Sequence, residues 1–122
     1  MIKFHIDLKV TGAYGLNKWY SGTHWTKRKK TADEIHQLVL VSMLQQKIKR
    51  KIFKEPVEIL FKYNSKLDID NHSVLSKMII DGVKGYLIED DNRKYVKRIV
   101  QEFYDGEGVE VEIKEVANVK TK

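Results

Sequence analysis

Asp68, Asp70 and Asn71 stand in a row interrupted only by Ile69, and a second acidic run, Glu89-Asp90-Asp91, follows further along the chain. On an extended segment alternate side chains share a side, so the Asp68 and Asp70 carboxylates converge on one ion. An oxygen-ligated cation needs that spacing: magnesium takes one or two carboxylates, keeps several waters and leaves positions for phosphate oxygens. Asp90 or Asp91 offers a third carboxylate if the chain returns over a sheet and an adjoining strand sets it beside Asp70. The same residues have a plainer use, because Asp and Asn are preferred in turns and at helix starts. Capping needs only one Asp, however, and crowded like charges raise carboxyl pKa values and cost stability unless a cation compensates. Lys77 and Asp81, four apart, share one side of a helix. They form either an exposed ion pair worth about 0.2–0.5 kcal/mol, or a lysine that reaches the metal centre and stabilises charge on a phosphate or leaving oxygen.

The elements that must hold these groups follow from periodicity. Ile2, Phe4, Ile6, Leu8 and Val10 alternate with Lys3, His5, Asp7 and Lys9, which predicts a half-buried strand over Ile2–Val10. Thr11–Thr26 carries Gly12, Gly15 and Gly22 among Asn17, Trp19, Tyr20, His24 and Trp25, an irregular, aromatic-rich loop. Thr31 followed by Glu34 is a capping-box signature, and Ile35, Leu38, Val39, Leu44 and Ile48 continue at helical spacing, so a helix runs from Thr31 to about Lys51. Pro56 opens a strand that alternates Val57, Ile59, Phe61 and Tyr63 with Glu58, Leu60 and Lys62. After the polar turn Asn64–Asn71, Val74, Leu75, Met78, Ile79, Val83 and Tyr86 predict a second helix with Gly85 as its stop. A strand over Tyr95–Tyr104, a hairpin turn at Asp105–Gly108 and a strand from Val109 to Lys114 complete the pattern, and residues 117–122 form a frayed tail. The expected architecture is α+β: a small mixed β-sheet with two helices packed on one face, spanning residues 1–122 as a single domain.

Composition narrows the chemistry. The 122 residues include no cysteine, which excludes disulfides, thiolate zinc sites, iron–sulfur clusters and a Cys nucleophile; a metal here takes Asp, Glu, Asn or His. The longest apolar run is four residues, Leu38–Val41, so neither a membrane span nor an export signal is expected and the chain reads as cytoplasmic. The net charge of +6 is divided unevenly. Residues 1–54 hold twelve Lys/Arg against three acids, a surplus of nine, while residues 55–122 hold eleven against fourteen, a deficit of three. A basic half suits a polyanion such as nucleic acid, and an acidic half held within that attraction suits a metal. Lys27, Arg28, Lys29 and Lys30 precede the predicted helix start, where cations are disfavoured and a partner anion such as phosphate is favoured. Lys47, Lys49, Arg50, Lys51 and Lys54 close that helix, where cations suit the dipole. Trp19 and Trp25 either stack on an unpaired nucleotide or cover the sheet edge.

Asp68-Ile69-Asp70-Asn71, then Lys77 four residues before Asp81, then Asp90-Asp91 ahead of a strand, resembles the RusA family of Holliday junction resolvases of bacteria and their phages. The likeness runs from about Val57 to Val100, and chain length and element order agree with it. It implies a RusA-like fold and a homodimer that cuts four-way DNA junctions symmetrically in a bacterial cell or phage-infected host. It also implies Mg²⁺, or Mn²⁺, held by Asp68, Asp70 and Asp91 or its neighbour Asp90, with Lys77 required for cleavage. Asn17, Lys27, Arg28, Lys29, Lys30 and Asn71 are the expected DNA-contacting residues. One departure stands out: His72–Ser76 lengthen by three residues the family's usual interval between second aspartate and lysine, setting Lys77 almost one turn further along its helix.

Overall fold

A computed structural model describes residues 1–15 and 25–116. The chain runs β1 (Ile2–Ile6), α1 (Trp25–Gln45), β2 (Val57–Tyr63), α2 (Ser73–Val83), β3 (Val96–Phe103) and β4 (Val109–Glu115), with 3₁₀ turns at Gly12–Tyr14 and Ile69–His72. The strands form one mixed sheet in the order β1-β4-β2-β3, the α+β arrangement expected from the alternating and helical periods. Val57, Ile59, Phe61 and Tyr63 of β2 are all buried, as are Phe4 and Ile6 of β1 and Val109, Val111 and Ile113 of β4. They share one core with Ile35, Val39 and Met43 of α1 and Leu75, Met78 and Ile79 of α2. Each such side chain contributes about 1.5–3 kcal/mol on burial, and a one-residue slip of any strand would expose its whole set, so this face fixes the register. At Gly82 the helices approach so closely that a Cβ would stand 3.0 Å from that of Val39. Among the described residues no helix is long and apolar enough to cross a membrane.

Several boundaries differ from the sequence reading, each for a local reason. β1 stops at Ile6 rather than Val10 because β4 begins at Val109, directly opposite Ile6, and offers no further partner. α1 begins at Trp25, so Thr31 and Glu34 are helix interior and Lys27–Lys30 form the first turns instead of preceding them. Lys and Arg are good helix formers, and Lys29 reaches Asp33 one turn on at 3.1 Å. α1 ends at Gln45 and not near Lys51: Lys47 adopts φ 61°, and the Lys47 and Ile48 N–H groups donate to the Leu44 and Met43 carbonyls at 3.1 and 2.9 Å, a Schellman closure. Lys49, Arg50, Lys51 and Lys54 therefore lie in a connecting segment, where the Lys51 and Phe53 N–H groups donate to the Tyr86 and Leu87 carbonyls, both at 2.9 Å.

The turn at Asp105–Gly108 is not a hairpin. β3 pairs β2 in parallel while β4 pairs β2 antiparallel from the other side, so the turn carries the chain past the end of β2. The reason lies in the two strands' faces: Val109, Val111 and Ile113 suit a position between two partners, whereas β3 exposes Lys97, Arg98 and Ile99 and suits an edge. Parallel pairing of β2 with β3 requires a long crossover, which α2 supplies. The acidic motif therefore leaves the C-terminal end of β2 while Asp90-Asp91 approaches the N-terminal start of β3.

Candidate active site

Asp68 leaves β2 with an extended backbone (φ −63°, ψ 153°), and its carbonyl accepts the Asn71 N–H at 3.0 Å to start the 3₁₀ turn. That turn interrupts the alternation at Ile69, so Asp68 and Asp70 are not consecutive same-side residues of a strand. Asp68 holds the N-cap position of the 3₁₀ turn, but neither aspartate caps α2. No side-chain cap bond forms at Asp68, and the residue before α2 is His72, also without one. Both carboxylates are exposed. The turn half of the plainer reading is therefore borne out and the capping of α2 is not.

Between α2 and the free edge strand β3 runs a groove of about 580 Å³ whose walls include Asp70, Ser73, Ser76, Lys77, Asp91 and Gln101. Ligand clefts of roughly 300–1,000 Å³ are typical. Asp70, Lys77 and Asp91, chosen from the sequence, thus share one cleft, while Asp68 lies outside its lining. The carboxylates do not converge. Asp70 adjoins Gln101, whose amide meets the Ile69 carbonyl. Asp91 lies in the loop that leads into β3 at Val96. Among the described residues no group of three His, Asp or Glu stands close enough to hold a metal ion. The donors themselves suit magnesium, being hard carboxylate oxygens; Asp70 and Asp91 line the groove, and their sequence neighbours Asp68 and Asp90 lie outside its lining.

Two lysines neutralise the Asp91 end. Lys77 Nζ lies 3.7 Å from Asp81 and 3.8 Å from Asp91. Lys84, which sequence reasoning did not single out, lies 3.1 Å from Asp81, 3.4 Å from Asp91 and 3.9 Å from Asp90. Burial pushes the Asp91 carboxyl upward, but Lys84, Asp90 and Lys77 outweigh it and hold it below the usual carboxylate range. Close contact with Asp81 pushes the Lys84 ammonium up against a smaller opposing effect of burial. Lys77 is 70% exposed against 34% for Lys84, so Lys77 is the lysine free to swing toward a ligand and Lys84 the one that anchors the acidic loop. A lysine directly before the predicted stop of an amphipathic helix, a few residues ahead of a run of three acids, is the signal that would have found it.

Of the expected DNA contacts, Lys27, Lys29 and Lys30 are exposed on the first turns of α1 and Arg28 is half-buried; Asn71 is half-buried in the 3₁₀ turn; Asn17 lies outside the described residues, as do Trp19, Tyr20 and His24. Trp25 is 60% exposed at the start of α1 and, with Lys29, Lys30 and Gln37, lines a shallow depression on that helix. An exposed indole beside ammonium groups is the pairing that single-strand binders use for base and phosphate. Ser76 and Gln101 were also missed; a serine inside the apolar stripe Val74–Ile80 was the available clue to the first.

No curated protein and no solved structure gives a significant match. A family model described as endodeoxyribonuclease RusA matches residues 13–114, which takes in α1, the acidic motif, the groove and nearly all of β4. The chain belongs to the RusA family of endodeoxyribonucleases.

Proposed function

We propose that this chain is a magnesium-dependent endonuclease that resolves four-way DNA junctions by paired, symmetric phosphodiester hydrolysis in the cytoplasm of a bacterial cell or phage-infected host. The observation that carries this reading is the single groove lined by Asp70, Lys77 and Asp91 in a chain matching the RusA model over 13–114. Asp68 and Asp70 would hold the cation, with Asp91, assisted by Asp90, as the further acidic ligand; Mn²⁺ satisfies the same hard donors. Bound there, magnesium would supply an activated water and neutralise phosphate charge, a requirement set by the slowness of uncatalysed phosphate-ester hydrolysis. Lys77 leaves its ion pairs to neutralise charge on the scissile phosphate. Lys27, Arg28, Lys29, Lys30, Asn71 and Asn17 hold the DNA backbone, with Lys29 contributing least because Asp33 already pairs it.

A four-way junction has two-fold symmetry, and paired cuts need two active sites, which a two-fold homodimer supplies.

The test is cleavage of a labelled four-way junction and a matched linear duplex, with Mg²⁺ and with EDTA, for the wild type beside Asp70→Asn. Symmetric, metal-dependent nicks on the junction alone, lost in Asp70→Asn while junction binding persists, are the expected result. Equal cutting of flaps and forks would replace the resolvase reading with a less selective nuclease. Binding without any cut in Mg²⁺ or Mn²⁺ would leave a DNA-binding accessory protein.

A further inference from the structure

Under the groove floor lies a polar network that the acidic motif does not use. Tyr63, His72 and Ser76 are 0%, 1% and 4% exposed, yet their polar atoms are joined. Tyr63 Oη lies 2.6 Å from Ser76 Oγ, which lies 2.6 Å from Gln101 Oε1. Gln101 Nε2 is 3.5 Å, and His72 Nδ1 3.0 Å, from the Ile69 carbonyl oxygen; His72 Nε2 is 2.7 Å from Ser65 Oγ.

With a neutral imidazole at His72, counting protons leaves one arrangement. The Ile69 carbonyl only accepts, so both groups facing it present N–H, which turns the Gln101 amide nitrogen toward it and the amide oxygen toward Ser76. The one hydroxyl proton of Ser76 then goes to Gln101, and the Tyr63 hydroxyl donates to Ser76. His72 carries its proton on Nδ1, so its Nε2 accepts from Ser65. Leaving any of these buried groups unpaired costs about 1–3 kcal/mol, so the network has a single low-energy orientation.

Gln101 is where this network meets the groove. It lies on β3 in the wall shared with Asp70, Ser73 and Lys77. An amide nitrogen has two N–H groups, and the long contact to Ile69 engages one of them. We propose that Gln101 contacts the DNA phosphate at the Asp70 end of the groove, its free amide N–H donating to a non-bridging oxygen and its orientation fixed by the directed chain Tyr63 to Ser76 to Gln101. This rests on the nuclease reading above. A neutral donor suits the position: a carboxylate there would repel the phosphate, and an ammonium would compete with a cation for Asp70. Gln101 is thus a substrate-contacting residue, and Ser76 a positioning residue that acts through it.

Single-turnover cleavage of a four-way junction at saturating enzyme, with thermal unfolding and junction binding in EDTA measured alongside, tests the assignment. Gln101→Ala is expected to remain folded and cut about ten- to a hundredfold more slowly, less than the roughly hundred- to thousandfold loss of an oxyanion donor because a single neutral amide is removed from one phosphate oxygen. Ser76→Ala frees the amide and is expected to slow cutting about fivefold, whereas in the Gln101→Ala background it should add nothing, because its effect passes through Gln101. Gln101→Glu keeps the shape but reverses the electrostatics; junction binding in EDTA should weaken about tenfold, a readout independent of metal and catalysis. A wild type that cuts while Gln101→Ala cuts equally fast overturns the assignment and leaves the nuclease reading intact. So does a full fivefold effect of Ser76→Ala in the Gln101→Ala background. A wild type that cuts no branched DNA in Mg²⁺ or Mn²⁺ removes both, and the wild-type lane alone tells the two failures apart.

Discussion

Two networks flank α2, and they are built from opposite chemistry. Below it, Tyr63, Ser76, Gln101, His72 and Ser65 form short, largely buried contacts between neutral groups, most of them 2.6–3.0 Å, with the His72 ring stacked 4.4 Å from that of Tyr63 and edge-on to Phe103 at 5.6 Å. Beside it, Lys77 and Lys84 face Asp81, Asp90 and Asp91 across 3.1–3.9 Å with much of each side chain in water. A buried donor or acceptor that loses its partner costs about 1–3 kcal/mol, whereas an exposed ion pair contributes about 0–1 kcal/mol. The first network therefore fixes the backbone that carries Asp68 and Asp70. The second holds charges in readiness at little cost and releases them as cheaply. On the proposed reading the site accepts a cation and a polyanion, and that needs both a rigid support and exchangeable counter-charges.

That division predicts where substitutions will be felt. Asp91→Asn is expected to reduce junction cleavage by about three orders of magnitude, the several kcal/mol a metal ligand supplies, while the urea midpoint moves by less than about 1 kcal/mol equivalent. A variant that unfolds, yet cuts normally per folded molecule, would place Asp91 in the supporting network instead. His72→Ala reverses the pattern: it opens a cavity between Tyr63 and Phe103 and strands Ser65 and the Ile69 carbonyl, for a loss of about 3 kcal/mol in urea unfolding. A smaller loss, about 1 kcal/mol, is expected for Tyr63→Phe, which deletes one buried hydroxyl and keeps the ring. Unchanged midpoints for both would show that the polar contacts under the groove carry no net stability.

The legible parts of this molecule are those that obey a period. Alternation at Val57–Tyr63 and Val109–Ile113 and the apolar spacing of Val74–Val83 yield the right elements because burial on one face dictates both. Strand order is not periodic information. Tyr104–Val109 reads like a hairpin, and only the competition of β3 and β4 for the two edges of β2 shows otherwise. The same holds for the site. Asp70, Lys77 and Asp91 are visible as charges at telling intervals, but one acidic motif follows the end of β2 and the other precedes the start of β3 because the two strands run parallel, which no spacing reveals. Gln101 meets Ser76 across twenty-five residues through that same pairing. Lys27–Lys30 are correctly identified as a basic cluster and wrongly placed before α1, since a capping-box pair at Thr31 and Glu34 is equally at home inside a helix.

The smallest effect expected is electrostatic, and its sign separates the networks again. The folded pKa of Asp91 lies below its unfolded value, because Lys84, Asp90 and Lys77 together outweigh burial. Its stabilising contribution is therefore present above the unfolded value, near 3.9, and is lost as pH falls through the lower folded one. Lys84 acts in the opposite sense: raised by Asp81 above all, it stabilises below its unfolded value, near 10.4, and that contribution disappears as pH rises through the raised folded one. Between these limits neither Asp91 nor Lys84 adds pH dependence. Urea midpoints measured from pH 5 downward should fall more steeply for the wild type than for Asp91→Asn, with the gap confined to the region below about pH 4. In 1 M salt, where the screening length shrinks to about 3 Å, the gap should narrow. Parallel slopes at low salt would mean that the lysines do not hold Asp91 in solution. The His72 network should be indifferent to salt at fixed pH, since its contacts join neutral groups, so a salt-sensitive His72→Ala penalty would contradict the proton arrangement that makes His72 a neutral donor to Ile69.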